Sequence, residues 1–389
     1  MNRCYLNAMA MVSAMGESRQ SACHHLRKGE SGLVLTDDFS PGRPMPLGLC
    51  TGELPAVTLA EAHWHSRNNR LALSALNQIR EAIAEAAGRF GRHRIGVVIG
   101  TSTSGISDSE AGLKHRADTG ALPPEYDYRM QEMGATAAFI AAELQLGGPV
   151  FGISTACSSG AKALASARRL LRAGICDAVV AGGVDTLCQL TVQGFSALEA
   201  VSDLLCNPFS VNRSGINIGE GAGLFLLSRE PGAVELAGVG ESSDAHHISA
   251  PDPGGAGAMA CMRAALADAG IRPGAVGYIN LHGTATQLND QMEARAVAEV
   301  FGSDVPCSST KPLTGHTLGA AGALEAGIGW LALTEGLVPR HLWDGQPDPG
   351  LSVLNLVTAP VTGCEPEYVL SNSFAFGGNN ISLILRRVS

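Results

Sequence analysis

The chain has no Cys-x-x-Cys pair, no run of lysine and arginine, few aromatic residues and no apolar stretch approaching a membrane span. Each absence removes a class of protein. The ten cysteines, at 4, 23, 50, 157, 176, 188, 206, 261, 307 and 364, are scattered. They read as reduced thiols in a cytoplasmic protein, neither a disulfide framework nor a zinc site. His63 and His65 alternate like ligands, and His24-His25 and His246-His247 are adjacent, yet none comes with a matching acidic or cysteine set. No metal is expected. A net charge of −9 without a basic patch argues against nucleic-acid binding. Residues 1–16 lack the apolar core and cleavage site of a signal peptide and read as a first strand and turn. No membrane span is expected.

Glycine and small apolar residues are what the chain has in quantity. With 48 glycines, 45% hydrophobic and only 16% charged residues over 389 positions, it describes a compact globular enzyme with close backbone approaches. So little charge on its helices also points to surface buried between subunits. Strand-like runs at 95–100, 150–154, 177–183, 223–228, 234–240 and 276–281 alternate with helical patterns at 133–144, 257–270 and 293–301. Such alternation predicts parallel sheets covered by helices. A long-period echo is also present. Strand, Cys157 and an Ala-rich helix in the first half correspond to residues 307–309, His316 and the Ala-rich run 319–333 in the second, with a seam near 229–233.

Three segments carry chemistry. In Phe151-Gly-Ile-Ser-Thr-Ala-Cys157-Ser-Ser-Gly160 an apolar run ends in small residues and passes at once into a helical pattern. That puts the thiol at a strand-to-helix junction, where free N–H groups and the helix dipole favour thiolate. Taken alone, the residue reads equally well as a small buried hydrophobe. Further on, Asn280-Leu-His282-Gly-Thr284-Ala-Thr286 and Lys311-Pro-Leu-Thr-Gly-His316-Thr-Leu-Gly-Ala-Ala-Gly322 each set a histidine among small residues, with Lys311 five positions ahead of the second. A nucleophile, two such histidines and a lysine form a rare combination.

With the C-terminal Asn372-Ser-Phe374-Ala-Phe376-Gly377-Gly378-Asn-Asn380, these blocks resemble, in order and over most of the chain, the β-ketoacyl-[acyl carrier protein] synthases of fatty acid and polyketide assembly. The resemblance implies an α/β thiolase fold: duplicated halves, residues 1–230 with the nucleophile and 231–389 with both histidines, in a five-layered α-β-α-β-α sandwich. It also implies an obligate dimer and no bound cofactor, the substrates riding on the phosphopantetheine of an acyl carrier protein. The reaction implied is a decarboxylative condensation of malonyl-carrier thioester with an acyl group on Cys157. Backbone N–H groups of Cys157 and Phe376 would form the oxyanion hole, Phe376 also gating the acyl pocket, with Phe374, Gly377 and Gly378 around the substrate. His282 and His316 would stabilise the enolate as neutral donors. Thr284, Thr286 and Ser249, the last in the loop 242–251, would face the pantetheine arm.

Lys311, an expected buried ammonium, needs a partner. Glu293 and Asp290 are the candidates, Asp290 reading nearly as well as a helix N-terminal acid, while Glu325 reads as structural. Arg67 and Arg70 are the expected basic contact for an acidic carrier protein, although a solvated helix face explains them equally. Within the superfamily the His-His pair favours elongation over CoA-dependent priming, and no second cysteine motif suggests a thiolase-like CoA acyltransferase. Cys157 itself argues against a chain-length-factor-like subunit, while a heterodimer with one stays open. Asn207 stands where many relatives place an arginine, and the acidic and basic pattern of 211–221 also departs. A specialised pathway, such as aryl polyene assembly, fits that departure.

Overall fold

The structure, a computed structural model, describes residues 3–359, 361–363 and 365–388. Ten strands build its two main sheets, which meet edge to edge, and two further two-stranded sheets lie apart from them among the described residues. The first sheet runs β1 (Tyr5–Val12), β5 (Gly221–Ser228), β4 (Ala178–Asp185), β2 (Ile95–Gly100) and β3 (Val150–Ile153). The second runs β6 (Val234–Ser243), β10 (Asn379–Arg387), β9 (Tyr368–Ala375), β7 (Val276–Asn280) and β8 (Pro306–Ser308), with the short strand Asn355–Leu356 beyond it. The pairing directions repeat. In each sheet the first two pairings are antiparallel and the next two parallel. β1 and β6 join where Tyr5 lies opposite Glu235.

The expectation of parallel sheets therefore needs correction: both are mixed. The sequence pattern does not mark Tyr368–Ala375 as a strand. It forms a hairpin with β10 across the turn Phe376–Gly378, and a connection that short permits only antiparallel pairing. The parallel strands read as foreseen. Ile95–Gly100 is buried at every position, as a strand covered on both faces must be.

Helices complete the layers. α1 (Arg67–Phe90) and α2 (Ala135–Leu144) cover the outside of the first sheet. α4 (Ala256–Ala269) covers the outside of the second, with α5 (Gln287–Phe301) packed against it. Between the sheets lie α3 (Ser159–Arg172) and α6 (Ala321–Glu335), which touch each other and both sheets. The result is the α-β-α-β-α sandwich expected. α6 is buried on all sides up to Leu333, and that stretch is apolar except for Glu325. Glycine lets it approach α3: a Cβ on Gly322 would lie 2.8 Å from the Ala161 Cβ and 2.8 Å from Ser373 Oγ. α5 begins six residues earlier than its sequence pattern suggests, at Gln287.

Nine cysteines are free thiols, and Cys364 lies outside the described residues. No helix among the described residues is long and apolar enough to cross a membrane.

Candidate active site

β3 ends at Ile153, and the chain turns through Ala156, held at φ +51°, before α3 begins at Ser159. Ser159 stabilises the turn: its Oγ accepts from Thr155 N–H at 2.8 Å and donates to Ala156 O at 2.6 Å. Cys157 thus stands just ahead of the helix, 6% exposed, with its sulfur 3.0 Å from His316 Nε2. Burial pushes its thiol up to about 11, and the Lys311 charge and N–H groups of Phe376 and Cys157 only partly oppose this. Burial therefore works against the thiolate that a helix start favours.

His316 is set by backbone pairing. Its N–H donates to Asn217 O at 2.6 Å, and its carbonyl accepts from Gly219 N–H at 2.9 Å. Those partners lie in the 211–221 segment, noted in the sequence only for its departures. His282 follows β7, where Glu293 of α5 accepts from the N–H groups of His282 at 2.8 Å and Gly283 at 2.7 Å. The two rings stand 5.4 Å apart and nearly perpendicular, and Phe374 lies 6.1 Å from the ring of His282. Burial, reinforced by the Lys311 charge, holds both imidazoles well below their ordinary pKa, so both are neutral.

Lys311 does not pair with Glu293 or Asp290. Its ammonium bonds Glu325 Oε1 and the carbonyl of His282, and lies 3.4 Å from His282 Nδ1. Glu325 is the partner because α6 brings it to the ammonium, while Glu293 and Asp290 are engaged elsewhere. Asp290 accepts from Phe209 N–H at 2.8 Å and Ala285 N–H at 3.2 Å, and burial raises it to about 6. Burial raises Glu293 to about 7. An ammonium can only donate, so Nδ1 of His282 must accept and its proton sits on Nε2.

Cys157, His282 and His316 are the one cluster among the described residues with metal-ligand spacing, their donor atoms lying within 4.8 Å of one another. A proton fixed on His282 Nε2 and an adjacent ammonium both oppose a cation there.

The group lies at the end of a cavity of about 350 Å³ lined by Thr284, Thr286, Ser249, Phe374 and Phe376. Thr284 and Thr286 share a 3.0 Å contact between hydroxyls. Gly377 and Gly378 tie two loops together: Gly377 N–H donates to Ile248 O at 2.8 Å, and Asp244 N–H to Gly378 O at 2.9 Å. Gly378 has φ +72°, and a Cβ there would lie 2.9 Å from that of Asp244. Phe195, whose ring lies 5.6 Å from Phe376, and Ile216 also line the cavity and were missed, since nothing in their spacing marks them.

The two arginines fare differently. Arg67 pairs with buried Glu220, and Arg70 bonds Leu54 O at 2.8 Å and Pro55 O at 3.3 Å. Both guanidinium groups are committed within the chain, and neither lines the cavity. The descriptions "Beta-ketoacyl synthase, N-terminal domain" and "Beta-ketoacyl synthase, C-terminal domain" match residues 51–233 and 233–343.

The chain belongs to the β-ketoacyl synthase family.

This β-ketoacyl synthase, an acyltransferase of the Cys-His-His type, is 33% identical to nodulation protein E of Rhizobium sp. (strain N33), over 99% of both chains. It is 31% identical to 3-oxoacyl-[acyl-carrier-protein] synthase 2 of Staphylococcus aureus (strain COL), over 99% of this chain and 98% of that one. Among solved structures it resembles the ketosynthase ApeO, in complex with its chain length factor ApeC, from Xenorhabdus doucetiae. That likeness has a TM-score of 0.96 and 45% identity, over 100% of this chain and 98% of that one.

Proposed function

We propose that this β-ketoacyl synthase elongates an acyl chain by decarboxylative condensation with malonyl-acyl carrier protein, as the catalytic half of a heterodimer with a chain-length-factor-like subunit. The observation that carries it is the Cys157 sulfur 3.0 Å from a neutral His316, with His282 beside both.

In the first step the sulfur attacks the thioester carbonyl of an acyl-carrier donor. Its proton passes to His316 Nε2 and on to the departing pantetheine sulfur. The N–H groups of Cys157 and Phe376, already directed at the sulfur, receive the developing oxyanion. In the second step malonyl thioester loses carbon dioxide, and the electron pair of the broken bond spreads onto the thioester oxygen. His282 donates from Nε2–H to that oxygen, and His316, released once the sulfur is acylated, adds a second donor in the neutral tautomer that carries its proton on Nε2. The carbanion then forms a bond to the acyl carbon, the C–S bond breaks, and the departing Cys157 thiolate takes up one proton from water to restore the thiol. Because decarboxylation itself supplies the nucleophile, the reading calls for no cofactor.

Thr284, Thr286 and Ser249 would hold the pantetheine arm, and Phe376 with Gly377 and Gly378 would gate the acyl pocket. On this reading residues 1–230 form the half that carries the nucleophile and 231–389 the half that carries both imidazoles, which the repeated strand directions support. Free thiols fit a cytoplasmic setting. Likeness to ApeO favours aryl polyene or a related specialised pathway, in keeping with Asn207 and the 211–221 segment.

The test is the mass of intact protein incubated with acyl-carrier donors. One acyl group should appear on Cys157, persist in His282→Ala, and be discharged by malonyl-acyl carrier protein only in the wild type. Absence of any adduct with every donor overturns the reading.

A further inference from the structure

Asp185, the last residue of β4, is a carboxylate with no exposed surface and no ion-pair partner among the described residues. Buried anions are costly unless fully hydrogen-bonded. This one accepts from five donors. Thr101 Oγ1 lies at 2.5 Å, Ser102 N–H at 2.8 and 2.9 Å from its two oxygens, Thr103 N–H at 2.9 Å, Thr103 Oγ1 at 3.0 Å and Gly319 N–H at 2.6 Å.

Those donors come from two places that the reaction needs fixed. Gly319 lies three residues beyond His316, in a short turn whose Leu318 is held at φ +47°. The other donors follow β2, whose last residue, Gly100, abuts the start of α3. A Cβ on Gly100 would fall 2.3 Å from the Ser159 carbonyl carbon and 2.4 Å from Gly160 N, immediately beyond Cys157. A Cβ on Gly183, two residues before Asp185, would lie 2.9 Å from Ala320 Cα and 3.1 Å from Gly160 Cα. One carboxylate therefore joins the turn carrying His316 to the ledge supporting Cys157.

We propose that Asp185 is a positioning residue, setting the distance between the Cys157 sulfur and His316 Nε2 by clamping Gly319 to the 101–103 loop. This rests on the reading that His316 takes the Cys157 proton. A side-chain amide could not replace it, because an NH₂ group would face the N–H of Ser102 or Gly319.

The experiment compares wild type, Asp185→Asn, Thr101→Val and Gly319→Ala. Thermal midpoint, kcat and KM for the acyl donor, and the pH profile of Cys157 alkylation by iodoacetamide are measured for each. Asp185→Asn should lower kcat about 100-fold, the scale of effect a displacement near 1 Å produces. KM should stay within about twofold, since cavity residues such as Thr284 do not touch Asp185. Its alkylation profile should shift, because the sulfur loses its imidazole partner; a merely structural role would lower the midpoint and leave that profile in place. Thr101→Val, which removes one donor, should fall between. Should Asp185→Asn not fold, Gly319→Ala asks the same question, since its Cβ would sit 2.7 Å from the Asp185 oxygen and force the clamp open. A wild-type alkylation profile in the folded variants overturns the proposal. If the wild type fails to condense while the profile still shifts, the positioning stands and the proposed reaction falls.

Discussion

A thiol held at about 11 beside a neutral imidazole is a nucleophile that ionises as it attacks. Below that value the protonated form dominates, and the thiolate fraction grows tenfold for each pH unit gained. Alkylation of free Cys157 should therefore keep rising with pH beyond 9; a plateau near pH 7 would show the sulfur already ionised. The Lys311 charge lowers this thiol, so Lys311→Met should slow alkylation. It should also slow malonyl decarboxylation by about 10²–10³-fold, because the His282 proton is no longer fixed on Nε2. Glu325 left alone would cost about 3–5 kcal/mol of stability, which Lys311→Met/Glu325→Leu should largely restore in denaturant titrations without restoring activity. Cys157, His282 and His316 were legible because each sits in a block of small residues with its own signature. The lysine's partner was not. Glu293 and Asp290 are nearer His282 in sequence, yet they are used on backbone N–H groups, and only the packing of α6 brings Glu325 into reach.

At the scale of elements, two features set stability. The contact between α3 and α6 depends on missing side chains, so Gly322→Ala should overpack it by about 1–3 kcal/mol, read from the chemical denaturation midpoint. The first turns of α5 carry Asp290 and Glu293, raised by burial to about 6 and about 7. Each binds its proton more tightly folded than unfolded, so each contributes stability below its unfolded pKa that fades as pH rises through its folded one. The melting temperature should fall as pH climbs from about 4 to about 7, and Glu293→Gln should flatten that slope. A slope of opposite sign would count against both assignments. Alternation and duplication were visible along the chain because helices and buried strands differ in hydrophobic period. The antiparallel inner part of each sheet was hidden, since strand direction is decided by a three-residue turn after Ala375 and by which strand β1 joins, neither of which leaves a period.

For the whole molecule, the outer edge of the first sheet is unfinished. β3 is its last strand, with Val150 and Phe151 each more than a third exposed. Unpaired apolar edges are templates for another strand. Phe151→Lys should shift the protein toward a lower mass in light scattering and prevent its recovery with a chain-length-factor-like partner, leaving the isolated chain folded. The sequence suggested a subunit interface only through its scarcity of charge; which edge stays open needs the strand order.

β3 ends four residues before the reacting sulfur, joined to it only by the turn that Ser159 holds. Association along that strand would brace the nucleophile's turn from outside, so dilution should cost turnover per molecule. In such an enzyme, quaternary contact acts as a governor on chemistry, and specific activity becomes a readout of subunit concentration.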